Sequence, residues 1–347
     1  MTDIIPANEY QALDRADRMI IAGQAANQAA QGAVFADYRS RKAPNTLRRQ
    51  DNDLAIFARF LAQVHLSPGD LANDSQAWQG ITWGIVAAFI QWQLRAGYAV
   101  SSVNMRLSTV KVYAGLAALA GVIPAGELAM IRQVKSYKRT EQVRLDDNRA
   151  AAGVPTRTGY KKALPVSLSK KQAAALLIQP DTPQGRRDRL MVALLIGLGL
   201  RVGELAGLTV DNFTLTDGTV IFYRPKVDKI QTHKLDPISL AALRAYIDSG
   251  DAPETGSIWR QSLKGRGLDS CGLSTRAICK RIRYLGERIG IKGLSPHDLR
   301  HYWATQAARN HTPLDRLQDA GGWASLAMPG RYVEAAKIAN DGVRREE

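Results

Sequence analysis

Apolar residues recur at helical spacing along much of the chain. Leu47, Leu54, Phe57, Ala58 and Leu61 form one stripe, interleaved with Arg48, Arg49 and Arg59, and Asn45 or Thr46 is placed to cap it. A second stripe of Trp83, Val86, Phe89 and Ile90 predicts a helix over about Thr82 to Ala96. A third helix opens at Ser101 or Ser102 and runs to about Ala120. Its inward positions include Val103, Val110, Ala114 and Ala117, which leaves Arg106 and Lys111 facing elsewhere. No persuasive strand pattern occurs before residue 135, so a small all-α domain is expected over 44–134. Residues 1–43, rich in Ala and Gln, read as a polar helix or flexible arm.

The pattern then breaks. Between 132 and 171 Arg132, Lys135, Lys138, Arg139, Arg144, Arg149, Arg157, Lys161 and Lys162 crowd together, punctuated by Gly153, Pro155, Gly159 and Pro165. This is a hinge, with a basic linker at 135–166. Beyond it, from 167 to 347, helices are expected from Lys170 to Ile178, Arg186 to Leu198 and onward from Arg201. Four more are expected at about 239–249, 274–289, 297–309 and 313–320. Thr219 to Tyr223 is β-branched and aromatic, bounded by Asp217-Gly218 and Pro225, and reads as a strand; Lys234 to Ile238 is a candidate partner across a turn. The fold class is therefore mainly α with a small antiparallel sheet in the C-terminal domain.

Charge narrows the partners. The chain has 347 residues and a formal net charge of +15. That excess favours a polyanion, nucleic acid first. Two cysteines, Cys271 and Cys279, are too few for a disulfide framework or a metal cluster, which fits a reducing, cytoplasmic setting. The start lacks the pattern of a signal peptide, and the apolar run Leu190 to Leu200 is too short to span a membrane and reads as a buried helix. No metal or nucleotide motif is present, and no cofactor is expected.

A few side chains suggest phosphodiester chemistry. Arg201 follows an apolar helix and a glycine turn, where a charge needs an anion or a carboxylate; Glu204 lies within one turn of it and can brace it. His297 and Arg300 share a helix face at i, i+3, while Asp298 and His301 are expected to point elsewhere. Trp323 follows two glycines and offers an indole donor. Tyr332, nine residues on, is a phenol that nearby cations would push toward phenolate. Lys226 sits in a turn after the strand and can give a proton to a leaving oxygen, with Lys229 as second choice. Each also has a plain structural reading: an ion pair for Arg201, a satisfied imidazole for His297, core packing for Trp323, a basic turn for Lys226 and a terminal-helix residue for Tyr332. Their order and spacing carry the argument.

Taken together they resemble the tyrosine site-specific recombinases of the phage integrase family. The first box is Gly-Leu-Gly-Leu-Arg201-Val-Gly-Glu204-Leu-Ala-Gly-Leu, the second Leu-Ser-Pro-His297-Asp-Leu-Arg300-His-Tyr-Trp, and the third Gly-Gly-Trp323 followed by Tyr332. Most members carry histidine where this chain has Trp323, and tryptophan is the option used by Cre. The family's Gly-Lys-Gly turn appears here as Arg-Pro-Lys226, the loosest match. The resemblance covers about 165–335 and implies a two-domain, C-shaped clamp on double-stranded DNA. It implies Tyr332 as nucleophile, a 3′-phosphotyrosyl link, a Holliday junction, a homotetramer on two DNA sites that is mostly monomeric without DNA, and no need for ATP or metal. Arg201, Arg300, His297 and Trp323 would hold the phosphate, Lys226 would protonate the leaving group and Glu204 would orient the first box. Residues 44–135 resemble the family's core-binding domain, with Arg106, Lys111, Lys135, Lys138 and Arg139 as candidate DNA contacts. A type IB topoisomerase, a telomere resolvase and a catalytically silent DNA-binding protein are the alternatives.

Overall fold

The computed structural model describes residues 14–158, 165–263, 267–269 and 272–336. Gly159, Lys161 and Lys162 of the expected linker, Cys271, the first thirteen residues and the tail after residue 336 lie outside the described residues. The chain divides into two compact units, Met1–Lys161 and Lys162–Glu347.

The first unit is all helical among its described residues. Its helices are α1 (Arg15–Ser40), α2 (Pro44–Ala62), α3 (Trp83–Arg95), α4 (Val100–Leu119), α5 (Ala125–Gln133) and α6 (Arg139–Ala151). The three expected stripes are α2, α3 and α4. Leu54, Phe57, Val86, Phe89, Val103, Val110 and Ala117 are buried in one core. Helix α2 begins at Pro44, whose ring presets the first turn, so Ala43 is the cap residue instead of Asn45 or Thr46. Trp83, expected inside, is exposed at the start of α3. The Ala-rich N-terminal segment is helical from Arg15, and its last turns enter the core through Val34, Phe35 and Tyr38. Within the stretch expected to be a linker, α6 forms because Glu141 accepts the Lys138 backbone N–H at 2.6 Å and Arg149 donates to the carbonyls of Tyr98 and Pro155.

The second unit holds α7 (Lys170–Leu177), α8 (Pro183–Gly197), α9 (Val202–Ala206), α10 (Pro237–Asp248), α11 (Thr275–Arg288), α12 (Pro296–Arg309), α13 (Leu314–Gly321) and α14 (Ala327–Ala336). The strands β1 (Phe213–Thr214), β2 (Thr219–Arg224) and β3 (Lys229–Lys234) form an antiparallel sheet in the order β1-β2-β3. The partner of β2 is thus the segment ending at Lys234, with Arg224 opposite Lys229; the expected partner, Lys234 to Ile238, instead leads into α10. Asp236 caps that helix, its carboxylate accepting the N–H groups of Ile238 and Ser239. The apolar run at 190–200 is the buried heart of this unit: Leu190, Met191, Leu194, Leu195 and Leu200 pack with Leu243 and Tyr246 of α10 and with Ile278 and Ile282 of α11. Among the described residues no helix is long and apolar enough to cross a membrane.

Candidate active site

Helix α8 ends at a turn that only glycine can make. Gly199 has φ +61°, and a Cβ there would strike the Trp303 ring. The turn delivers Arg201 to the start of α9. Its backbone N–H donates to Glu204 Oε2 at 2.8 Å and its Nη1 to Glu204 Oε1 at 2.7 Å. The expected brace is therefore present.

A second turn closes α13. Gly322 adopts a left-handed conformation, φ 57°. The N–H of Trp323 donates to the Gln318 carbonyl at 3.1 Å and that of Gly322 to the Asp319 carbonyl at 2.9 Å, a Schellman motif. Three carbonyls follow in succession, and each accepts from a different guanidinium. Ala320 receives Arg224 Nη2 at 2.8 Å, Gly321 receives Arg300 Nη2 at 2.6 Å and Gly322 receives Arg201 Nη2 at 2.6 Å. The negative end of the helix dipole favours cations at this place. Arg300 also donates to the Gly199 carbonyl at 2.7 Å, which ties the two glycine turns together.

Glu204 Oε1 lies 3.7 Å from Arg224 Nη1 as well as against Arg201. Two guanidiniums thus face one carboxylate, and Arg300 also feels its charge, an excess of positive charge suited to an anion. Burial, then repulsion from Arg201, pulls the Arg300 pKa down to about 10. Burial also lowers that of Arg224.

Helix α12 supplies the second box. Asp298 caps its start, accepting the Ser295 N–H at 2.8 Å and the Ser295 hydroxyl at 2.6 Å, and it also accepts the Val166 N–H at 2.9 Å. This orients the helix so that His297 and Arg300 face one cavity. The indole of Trp323 lies over Arg300, whose Cζ is 4.6 Å from a ring centroid, and between the rings of Trp303 and Tyr332 at 6.0 and 5.6 Å. Tyr332, on α14, is 6% exposed. Burial raises its pKa, opposed by Arg300 and Arg201, so the expected drift toward phenolate is reversed: desolvation outweighs the cations.

Lys226 is exposed in the turn between β2 and β3. It borders the same cavity, of about 360 Å³, whose walls include Arg201, His297, Arg300, Trp323 and Tyr332. Side chains from 201 to 332 in the sequence thus share one wall, and Lys229 lines a neighbouring depression with Lys226 and Trp323.

Residues 167–338 match the model of the phage integrase family. The tyrosine recombinase XerD of Vibrio cholerae is 30% identical over 220 residues, which cover 60% of this chain and 69% of that protein. XerD of Proteus mirabilis is 28% identical over 314 residues, 83% of this chain and 90% of that protein. This chain belongs to the phage integrase family. Among solved structures, the Tn1549 transposon integrase in complex with a circular intermediate DNA matches with a TM-score of 0.62 at 16% identity, over 90% of this chain and 97% of that one. A lambda integrase dimer bound to a core site matches with a TM-score of 0.60 at 16% identity, over 90% and 95%. At that identity the likeness is one of fold.

Two residues of this phage integrase family site were not anticipated. His301 does not point elsewhere: its Nε2 lies 3.0 Å from His297 Nε2 and its ring 5.2 Å from that of Tyr332. The i, i+4 spacing was the available signal. Arg224, assigned to the turn, is instead the last residue of β2 and fully buried. Its alternation with Val220 and Phe222, both buried, marked it as inward-facing.

The candidate DNA contacts of the first unit divide into two groups. Arg106 and Lys111 are not free to face outward as expected. Arg106 donates to Gln93 Oε1 at 3.0 Å and lies over the Tyr98 ring, and Lys111 donates to the carbonyls of Arg132 and Val134. Burial lowers the pKa of both. Lys135, Lys138 and Arg139 are exposed.

Proposed function

We infer that the chain is a site-specific DNA recombinase that cleaves and rejoins duplex DNA through Tyr332. One observation carries this reading: Arg201, Lys226, His297, Arg300, Trp323 and Tyr332 all line a single cavity. The relatives named above are recombinases and integrases, which favours this reading over a topoisomerase, a telomere resolvase or a silent DNA-binding protein.

The chemistry follows from the groups present. A phosphodiester in the cavity meets Arg201 and Arg300, whose charges oppose the negative charge that builds up as the phosphorus becomes five-coordinate. Tyr332 Oη attacks phosphorus, the bond to the sugar 5′-oxygen breaks, and a 3′-phosphotyrosyl bond forms. Because burial keeps the phenol protonated, its proton must leave during attack, and His297 is the acid–base group in place to manage it. Lys226 gives a proton to the departing 5′-oxygen. Trp323 donates its indole N–H to a non-bridging oxygen. A 5′-hydroxyl from another strand reverses the steps, so bond energy is conserved. Exchange between two sites through a Holliday junction, within a homotetramer on DNA, is the assembly this chemistry serves.

The test is trapping. Tyr332→Phe retains site binding and forms no covalent DNA–protein adduct on a denaturing gel; an adduct in that variant removes Tyr332 as nucleophile.

A further inference from the structure

Two imidazoles on one face of α12 meet beside Tyr332. The Nε2 atoms of His297 and His301 are 3.0 Å apart, the ring centroids 4.4 Å apart, and the planes cross at 83°. Two ring nitrogens at hydrogen-bond distance need one N–H and one lone pair; two N–H groups or two lone pairs would repel. The pair therefore shares a single proton between its Nε2 atoms. We propose that His301 is a positioning residue for His297, accepting the Nε2 proton of that ring, fixing its orientation and making His297 the member of the pair that carries positive charge. The proposal rests on the reading of His297 as the acid–base group of the site.

The surroundings assign the direction of the bond. The charged and titratable groups facing His301 are His297, Asp298 and Arg300 on its own helix and Tyr332 on α14. Burial comes first in disfavouring a charged His301, repulsion from His297 and Arg300 adds to it, and Asp298 opposes it. A neutral His301 accepts at Nε2 when its proton sits on Nδ1, and this is the tautomer the proposal requires. An acceptor for its N–H stabilises the imidazolium form of His297 and raises its pKa relative to a ring without one.

The chain has five histidines, few enough to follow by NMR after isotope labelling of the imidazoles. In the native protein His301 is expected to stay neutral, as the Nδ1–H tautomer, throughout the pH range in which His297 titrates. His301→Leu removes the acceptor and lowers the His297 midpoint by about one unit, a tenfold change in proton affinity. His301→Gln, whose side-chain carbonyl can accept, restores most of it. The pH profile of single-turnover cleavage moves with the midpoint, and DNA affinity stays unchanged. An unchanged His297 midpoint in His301→Leu, or a His301 that titrates above His297, overturns the proposal. So does a variant that merely melts earlier with the midpoint in place, and the native tautomer decides the matter even if no variant folds. The titration is read without DNA, so failure of Tyr332 to form an adduct leaves it intact.

Discussion

Arg201 and Arg300 donate to neighbouring carbonyl oxygens, those of Gly322 and Gly321, each at 2.6 Å. Two boxes far apart in sequence are thereby registered on one dipeptide. Their separation is set by a peptide unit, not by the flexibility of two long side chains. If these guanidiniums hold the phosphate as proposed, such preorganisation would spare them rearrangement as charge develops on phosphorus.

Replacing Arg201 by lysine keeps the charge and loses the fork. A single ammonium cannot bridge Glu204 and the Gly322 carbonyl as the planar guanidinium does. Arg201→Lys is expected to slow covalent adduct formation by about 10²-fold or more, the typical cost of losing a preorganised donor. DNA affinity in a gel-shift assay should change little. Near-native single-turnover cleavage would show that charge alone suffices.

Lys226 is assigned to the leaving group, and sulfur offers a way to isolate that role. A 5′-thiolate leaves without needing a proton, because its conjugate acid is far stronger than an alcohol. Lys226→Ala should therefore be slow on ordinary DNA, by about 10²-fold or more for loss of a general acid, and close to native on DNA with sulfur at the 5′-bridging position. Equal defects on both substrates would reassign Lys226 to binding. The parallel Lys229→Ala variant is expected to cleave both at near-native rates.

In the first unit, cations tied to backbone carbonyls and exposed ones should behave differently. Lys111 donates to two backbone carbonyls, so Lys111→Met leaves both without that donor and is expected to cost about 1–3 kcal/mol in urea unfolding. Lys138→Ala and Arg139→Ala should leave stability unchanged and weaken DNA binding across all sequences, each lowering the salt slope by about one. A Lys111→Met protein that is stable but binds DNA poorly would restore it to the interface.

Acid should destabilise the second unit through His233. Burial first, and the nearby Arg224 second, push the His233 pKa down to about 4 from an ordinary 6.5. Between those values the unfolded chain takes up a proton that the folded one does not. Stability is then fully present above about pH 6.5 and falls as the pH drops toward 4, by up to about 2 kcal/mol allowing for solvent screening. Urea midpoints at a series of pH values check this: His233→Gln should flatten the dependence in that window, and an unaltered slope would locate the titrating group elsewhere.

Helix existence was legible in the chain because apolar periodicity reports burial directly. The stripe of Val103, Val110, Ala114 and Ala117 became the inner face of α4. Less legible were the polar helices. Helix α6 is held by Glu141 and Arg149 through bonds to backbone, with hardly any apolar face, and its composition matched that of a solvated linker. The pairing of β2 was expected too late in the chain, at Lys234 to Ile238, and the hydrogen-bond register sets it at Lys229–Lys234. At the site, motif order named the six cavity residues and the Glu204 brace, but not the carbonyls that hold the guanidiniums. The Ala320-Gly321-Gly322 carbonyls act through backbone atoms, which leave no trace in side-chain identity. The fate of the Tyr332 proton needed burial to be known, because the cations near it argue one way and desolvation the other.

The end of α13 also bears on the chain during its own synthesis. A polypeptide not yet extended to residue 320 would possess Arg201, Arg224 and Arg300, with Glu204 and the Gly199 carbonyl, but none of the three carbonyls at the end of α13 that receive them. The groups that would grip a phosphate thus gain these acceptors only once residues 320–322 have been made, and the tyrosine that would cut follows ten residues later still. A product truncated before residue 320 would carry the three cations without these acceptors and without Tyr332.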